Sequence, residues 1–478
     1  MKNLRRLKIL SEMLILVGFD LVFYFLSATL AYFLSSLFID LSTFGLGDML
    51  SFWWIPMIIL LTFANEGLYT KRLPFWDETQ RIFQFLTLSF LIILAIVVFE
   101  AFHGELPKLT LVFLWAFSII LMPLGKFAIK HIMYKFDFYK KKTLVVGAGT
   151  AGKSAVKELG NQDYLGAKVI GFLDDDKEKI GKSIRVGKRN FKVIGKVKEF
   201  DDIAVREDVE TAIIALPTLA AKKLSAIIVN IQQHVKEMIV VPEINGVSPL
   251  NTETFHVYDL DLLMLKVNNN VRSTFNQFAK RTFDIVVSIL LLPILLPVIG
   301  ILAFFIKRES PGDVFYAHNR IGKDGKIVPV MKFRSMFSDS KERLEELLAN
   351  DPEIKKEWET NYKLKNDPRV TKIGDFIRKT SMDELPQIFN VLKGEMSLVG
   401  PRPVVADELE KYYKESAEYY KMVKPGITGF WQVSGRSDTD YDFRVKVDTW
   451  YVYNWSLWLD IMVLIKTVRV VLLREGAY

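Results

Sequence analysis

A chain of 478 residues exceeds what one hydrophobic core holds, so two or three domains are expected and a single small module is excluded. Half of the residues are hydrophobic, 35 are Phe and the mean hydropathy is +0.19, which argues against both a disordered chain and an ordinary cytosolic enzyme. Cysteine is absent, which rules out disulfides, thiolate zinc sites and cysteine nucleophiles, while a net charge of +8 suits the cytoplasmic loops of a membrane protein, anionic headgroups or phosphorylated substrates rather than nucleic acid.

Four long apolar runs, at 10–33, 50–64, 82–99 and 109–132, mark residues 1–135 as a four-helix transmembrane bundle, the second run being borderline in length. Lys2, Arg5, Arg6 and Lys8 precede the first run, and Lys71, Arg72 and Arg81 separate the second from the third. Lys126, Lys130, Lys135, Lys140, Lys141 and Lys142 close the fourth, whereas the other two loops hold only Lys108. By the positive-inside rule both ends of the bundle face the cytoplasm. The first run is too long for a cleavable signal and no small-residue cleavage site follows it, so no signal peptide is expected. Asp20, inside that run, reads either as a polar relay or as an inward-facing residue bonded to a neighbouring helix, and the second reading is preferred.

Short apolar strands at 143–146, 169–173, 211–216 and 238–241 alternate with polar helical stretches, which predicts a Rossmann-like α/β domain over 136–265. The first strand runs into Gly147, Gly149 and Gly152, a candidate nucleotide loop, and the second ends in Asp174, Asp175 and Asp176. The fold is expected; an occupied NAD site is not, because folds outlive their ligands. Tyr164 and Lys168 share the Tyr-x-x-x-Lys spacing of dehydrogenases, but they follow the first helix directly, too early for a catalytic pair.

A third region, 275–478, opens with an apolar run within 284–306, between Lys280 and Arg281 on one side and Lys307 and Arg308 on the other. Pro293 and Pro297 interrupt that run, and basic flanks at both ends favour a re-entrant helix over a fifth span. Trp450, Tyr451, Tyr453, Trp455 and Trp458 precede an apolar stretch at 459–473 that is too short to span. An interfacial position is expected for this end, with a buried core helix as the alternative.

Residues 374–403 carry the densest chemical signal. Leu385, Ile388, Phe389 and Leu392 recur at helical spacing before Gly394, and Pro386 belongs in a first turn, so Asp383 falls near the start of a helix. Such a position suits phosphate, yet Asp383 could be only a cap, and Ser381 with Glu384 has the spacing of a capping box. Lys332, Arg334, Arg378, Arg402 and Arg436 surround this segment in sequence. Fixed arginines suit bidentate phosphate contacts, and a carboxylate among them can hold Mg²⁺ or attack phosphorus.

Lys332-Phe333-Arg334-Ser335-Met336, Asp383-Glu384-Leu385-Pro386-Gln387, Ser397-Leu398-Val399-Gly400-Pro401-Arg402-Pro403 and Pro425-Gly426-Ile427-Thr428-Gly429 together resemble the motif series of the bacterial polyprenyl-phosphate sugar phosphotransferases. The resemblance covers essentially the whole chain and is to the large monotopic phosphoglycosyl transferases, which implies an α/β catalytic domain over 275–478, with the re-entrant helix at 284–306, at the bacterial inner membrane. Residues 363–368, 431–436 and 474–478 are most similar to the galactose-transferring subfamily, with the glucose-transferring one close by.

This resemblance implies transfer of a sugar 1-phosphate from a UDP-sugar to undecaprenyl phosphate, with release of UMP, at the start of an O-antigen, capsule or exopolysaccharide. It implies Asp383 as nucleophile, forming an aspartyl phosphosugar, and Glu384 as its acidic partner. Arg378 and Arg402 match phosphate-binding positions, Mg²⁺ is the implied metal held at Asp383, and Pro297 matches the bend of the re-entrant helix. The Ser that often precedes that proline is Leu296 here. Membrane lipids and, as an open reading, a second copy in a homodimer complete the expected partners. A membrane-tethered nucleotide-sensing scaffold and a sugar-nucleotide oxidoreductase are the rival functions.

Overall fold

In hydrocarbon a backbone can satisfy its N–H and C=O groups only internally, and the apolar runs accordingly form helices. The structure is a computed structural model that describes residues 2–98, 106–242, 252–257, 262–350, 367–434 and 441–473. Two units can be distinguished, Met1–Asn245 and Gly246–Tyr478.

The first unit begins with α1 (Lys2–Ser35), α2 (Leu46–Ser51), α3 (Trp54–Asn65), α4 (Phe75–Val98) and α5 (Lys108–Lys135). Helices α1, α4 and α5 are long and apolar enough to cross a membrane. The second run differs from expectation. Phe52 and Trp53 separate α2 from α3, and α3 has only 12 residues, about 18 Å against a hydrocarbon core of about 30 Å. Its end is fixed by Gly67 at φ 71°, where the Leu68 N–H donates to Phe63 O at 3.0 Å. Ile55, Ile59 and Phe63 of α3 are buried in the bundle core with Leu86, Ile93 and Leu114.

Asp20 is inward-facing and bonded to a neighbouring helix, as preferred from sequence: Lys126 Nζ donates to its Oδ2 at 3.0 Å. One turn along α5, Lys130 Nζ donates to both Glu78 oxygens at 2.7 and 2.8 Å. Lys126 and Lys130 are therefore buried partners of helix acids, not loop charges. Burying either alone would leave an uncompensated charge, which is why each has its own carboxylate.

The same unit continues through β1 (Lys141–Val146), α6 (Thr150–Asn161), β2 (Ala167–Leu173), β3 (Ser183–Val186), β4 (Arg189–Gly195), α7 (Phe200–Arg206), β5 (Thr211–Ile214), α8 (Ala221–His234) and β6 (Glu237–Val240). These strands form one mixed sheet in the order β3-β4-β2-β1-β5-β6, parallel except for β3 on β4. Val145 and Val146 of the central β1 are fully buried, as the continuous apolar run of a doubly covered strand requires.

In the second unit β7 (Thr252–Val257) and β8 (Leu262–Val267) form an antiparallel hairpin, and α9 (Thr274–Glu309) follows. Helix α9 is continuous through Pro293 and Pro297 and is the fourth helix of spanning length. Its buried residues Asp284, Ser288, Ile299, Leu302 and Ile306 fall on one stripe, and Leu292 and Leu295 continue it against the same core. The opposite face exposes Ile289, Leu290, Ile294, Ile301, Phe304 and Phe305. Beyond α9 come the hairpin β9 (Phe315–Ile321) and β10 (Ile327–Phe333), then α10 (Ser340–Asn350), α11 (Lys372–Lys379), α12 (Gln387–Lys393), the parallel pair β11 (Ser397–Val399) and β12 (Gly426–Thr428), α13 (Tyr441–Tyr453) and α14 (Leu457–Leu473).

The aromatic cluster before α14 does not lie wholly at an interface. Tyr451 and Trp455 are core residues, both donating to the buried Asp460, at 2.6 and 3.1 Å. That carboxylate also pairs with Lys280 of α9 at 2.7 Å, so the helix start and the chain's last helix are locked together. Ile465 and Val468 on the outer face of α14 stay exposed.

Candidate active site

The acidic pair is positioned from α9 and β10. Glu309, the last residue of α9, accepts from the N–H groups of Lys372 and Ile373 at 2.8 and 2.9 Å, and Thr371 Oγ1 accepts from Gly374 N–H, so the start of α11 is fully capped. A Cβ on Gly374 would stand 2.0 Å from Ser335 O, and this close approach lets Arg378 Nε donate to Ser335 Oγ at 2.8 Å. The chain then reverses through Ser381 at φ 56° into a 3₁₀ turn, Met382–Glu384, ahead of α12. Asp383 thus lies on that turn rather than at the helix cap, and Ser381 makes no side-chain cap bond, so the capping-box spacing is not used.

Lys332 of β10 faces both acids, its Nζ 2.8 Å from Glu384 and 3.5 Å from Asp383. Burial pushes the Asp383 carboxyl above the usual range; Lys332 opposes that shift and the Glu384 charge adds to it. Burial also works against the Lys332 charge, but Glu384 and Asp383 outweigh it and hold the ammonium above the ordinary lysine range. The register of β10 against α12 is set by Asn390, a fully buried residue that accepts from Met331 N–H at 3.0 Å and donates to Pro329 O at 2.9 Å. Sequence reasoning did not single out Asn390: it looks like any polar residue on an amphipathic helix until β10 is placed beside it. At the other end of α12, Arg281 donates to Val391 O and Leu392 O.

Arg402 comes from the loop after β11 and reaches the cavity that Lys332 and Glu384 border. A cavity of about 20 Å³ is bordered by Arg320, Lys332, Glu384, Gln387, Arg402 and Gln432. The loop is held by Gly426 N–H donating to Pro401 O at 2.9 Å and by the Tyr420 hydroxyl donating to Arg402 O at 3.2 Å. Arg320 on β9 was also missed from sequence, since nothing in its spacing marks it.

Other sequence candidates stand elsewhere. Arg334 donates to Ser310 O at 2.6 Å and Pro311 O at 2.9 Å, closing the end of α9 rather than facing the carboxylates. Arg436 lies outside the described residues. Pro297 sits within α9. In the first unit Gly147 has φ 105° and a Cβ there would meet Ala215 O at 2.3 Å; a Cβ on Gly152 would meet Gly147 O at 2.0 Å, whereas Gly149 faces open space. Asp174 accepts from Ala148 N–H at 2.9 Å and pairs with Lys179, so it braces the glycine loop. Tyr164 packs on Phe127 and accepts from Phe75 N–H at 3.1 Å, a structural role that explains why its dehydrogenase-like spacing means nothing.

A membrane-embedded chain that sets two carboxylates against a lysine, beside a cavity edged by arginines, is equipped for phosphoryl chemistry. Similarity to known proteins agrees. A family model described as bacterial sugar transferase matches residues 275–474, and one described as CoA-binding domain matches residues 66–242. The undecaprenyl-phosphate galactose phosphotransferase of Salmonella typhimurium is 42% identical over 86% of this chain and 84% of its own. The UDP-galactose-lipid carrier transferase of Erwinia amylovora is 39% identical over 86% and 84%, and the UDP-glucose:undecaprenyl-phosphate glucose-1-phosphate transferase of Escherichia coli is 31% identical over 71% and 70%. The chain belongs to the bacterial sugar transferase family and is a membrane enzyme of the polyprenyl-phosphate sugar phosphotransferase class.

Proposed function

We propose that this enzyme transfers galactose 1-phosphate from UDP-galactose to undecaprenyl phosphate, releasing UMP, as the first membrane step of a surface glycan. The observation that carries the reaction is the Asp383–Glu384 pair held by Lys332 beside Arg402. The choice of galactose rests on the greater identity to galactose-transferring relatives, 42% and 39%, than to the glucose-transferring one, 31%.

In the proposed mechanism an Asp383 oxygen attacks the sugar-bearing phosphorus, the bond from that phosphorus to the UMP oxygen breaks, and an aspartyl phosphosugar forms as UMP leaves. An oxygen of undecaprenyl phosphate then attacks the same phosphorus and Asp383 departs as a carboxylate. Both partners in each step are anionic, so Lys332, Arg378 and Arg402 serve to hold phosphate oxygens near the carboxylate. Arg436 joins them on the resemblance alone. Arg334 acts by fixing the segment after α9.

The donor set fits Mg²⁺, which takes one or two carboxylates and completes its shell with water and substrate phosphate; among the described residues no third acid joins Asp383 and Glu384. Asp383, with Glu384 beside it, would hold the ion, and when bound it supplies positive charge against the repulsion between carboxylate and phosphate.

The catalytic domain is assigned to 275–478 on the cytoplasmic side of the bacterial inner membrane, with 284–306 of α9 re-entrant. One stripe of α9 packs on its own α/β core from Asp284 to Ile306, while the other face presents apolar side chains suited to lipid. A helix surrounded by lipid along its length would have no such stripe. The Rossmann-like domain expected over 136–265 is assigned to the six-stranded sheet from β1 to β6, short of the hairpin β7–β8 of the second unit; its strand order winds outward from β1 in both directions, with no NAD in the reaction. Incubating the purified protein with labelled UDP-galactose or UDP-glucose, Mg²⁺ and polyprenyl phosphate tests this reading. Label in the organic phase with free UMP supports it; no transfer from either donor counts against it.

A further inference from the structure

A second cavity of about 160 Å³ adjoins the first and is predominantly polar, with Arg320 and Arg402 bordering both. Its wall carries three polar atoms without a hydrogen-bond partner: Trp431 Nε1, Arg444 Nε and Asp448 Oδ1. Asp448 is only 3% exposed and Trp431 5% exposed, so these are not groups that bulk water can satisfy. Buried polar atoms are nearly always paired, and several orphans on one cavity imply an occupant that pairs them. The carboxylate is partly committed: its other oxygen accepts from the Tyr413 hydroxyl at 2.8 Å, and the Arg402 backbone N–H is also directed at it.

The orphan set is two N–H donors and one carboxylate acceptor. The Watson–Crick edge of uracil is its complement, two carbonyl acceptors flanking the N3–H donor. Cytosine offers an amino donor and an unprotonated N3 in those places, so it would set its own lone pair against Asp448. The volume corresponds to about five waters, enough for one pyrimidine ring but not for a whole nucleotide. The phosphates must therefore lie outside it, at the seam that Arg320 and Arg402 border, with Lys332 and Glu384 beyond.

We propose that the cavity lined by Trp431, Arg444 and Asp448 is the uracil subsite, reading the base while Arg320 and Arg402 take the diphosphate that leads to Asp383. This rests on the proposed use of a UDP-sugar. Burial pushes the Asp448 carboxyl up to about 7, with the Tyr413 hydroxyl, Arg402 and Arg444 opposing the rise, so it is ionised and acceptor-only above that pH, where the competition is to be measured.

The test is competition by UMP and CMP against labelled UDP-galactose on the full-length protein in detergent. UMP should compete at least about 100-fold better than CMP, because an acceptor built for a donor rejects its absence strongly. Trp431→Phe, which keeps an aromatic ring but loses the N–H, should weaken UMP about tenfold. Asp448→Asn, which keeps an acceptor for Tyr413, should narrow the UMP-to-CMP ratio. Equal competition in the wild type, as expected of a merely water-filled cavity, overturns the subsite while transfer from UDP-galactose leaves the reaction standing. Proportional weakening of UMP and CMP in folded Asp448→Asn also overturns it. Failure of all UDP-sugars to transfer overturns the underlying reaction instead.

Discussion

Replacing Lys332 with Gln removes the charge and leaves a neutral donor on a side chain one bond shorter. The ammonium lies 3.5 Å from Asp383 and 2.8 Å from Glu384. At an effective dielectric of ~20 the gross attraction at the longer distance is about 5 kcal/mol. The three side chains are 19–30% exposed, and solvent screening reduces the net contribution to about 2–3 kcal/mol, the range of a hydrogen bond between charged groups. If that stabilisation keeps Asp383 ionised for attack, Lys332→Gln should lower kcat/KM roughly 30- to 150-fold near neutral pH. The pH dependence gives the sign. Burial has already raised the Asp383 pKa, so activity is present above that value and lost as pH falls through it. Without Lys332 the carboxyl rises further, so the acid limb should move to higher pH and the deficit should shrink as the solution becomes alkaline. Initial rates of UMP release across the pH range provide the assay. A loss of equal size at every pH, or an acid limb moved downward, would refute the assignment of Lys332 to the charge of Asp383.

Asn390→Ala strips Met331 N–H and Pro329 O of their partner and should cost about 2–4 kcal/mol, seen as a lower unfolding temperature and faster amide exchange at Met331; unchanged protection there would count against its bracing role. Gly147→Ala forces a Cβ against Ala215 O at 2.3 Å, so it should reduce the yield of folded protein but not the transfer rate per folded molecule, and strict dependence of transfer on added NAD would contradict the ligand-free reading of that loop. The absence of native cysteine permits single-cysteine topology mapping: Phe278→Cys and Arg308→Cys should both react with reagents that reach the cytoplasm and neither with impermeant reagents outside intact cells. Labelling of the Arg308 position only from outside would defeat the re-entrant assignment.

Features governed by local rules were legible in the residues. The glycine loop, the strands flanking it and the helix ending at Gly394, with φ 87°, all follow from steric freedom and periodicity. Asp20 could be assigned an inward partner because a lone acid in an apolar run demands one, but the partner's identity, Lys126, needed helix packing to emerge. Of the site, Lys332, Asp383, Glu384 and Arg402 converge as their motifs suggest. Arg334 does not, because two carbonyls left free at the end of α9 claim its guanidinium. Asn390, Arg320 and Asp448 stayed hidden for a related reason. Asn390 and Asp448 act through hydrogen bonds across more than 30 positions of chain, to Pro329 and Tyr413, and Arg320 shares a cavity with the distant Arg402; no spacing within one element encodes that. The second run reads as borderline in length, but its break does not show, because Phe52 and Trp53 between α2 and α3 are as apolar as the helices they separate.

The most direct measurement is incubation of purified wild type and Asp383→Asn with a UDP-galactose labelled in the sugar, without acceptor lipid, followed by detection of label on the protein and of UMP. An amide is a poor nucleophile for phosphorus, so the wild type should release UMP as it acquires phosphosugar label, and Asp383→Asn should do neither and should show no turnover when lipid is added. Turnover near the wild-type rate in a folded Asp383→Asn protein would contradict nucleophilic catalysis by Asp383 and return the residue to a structural turn.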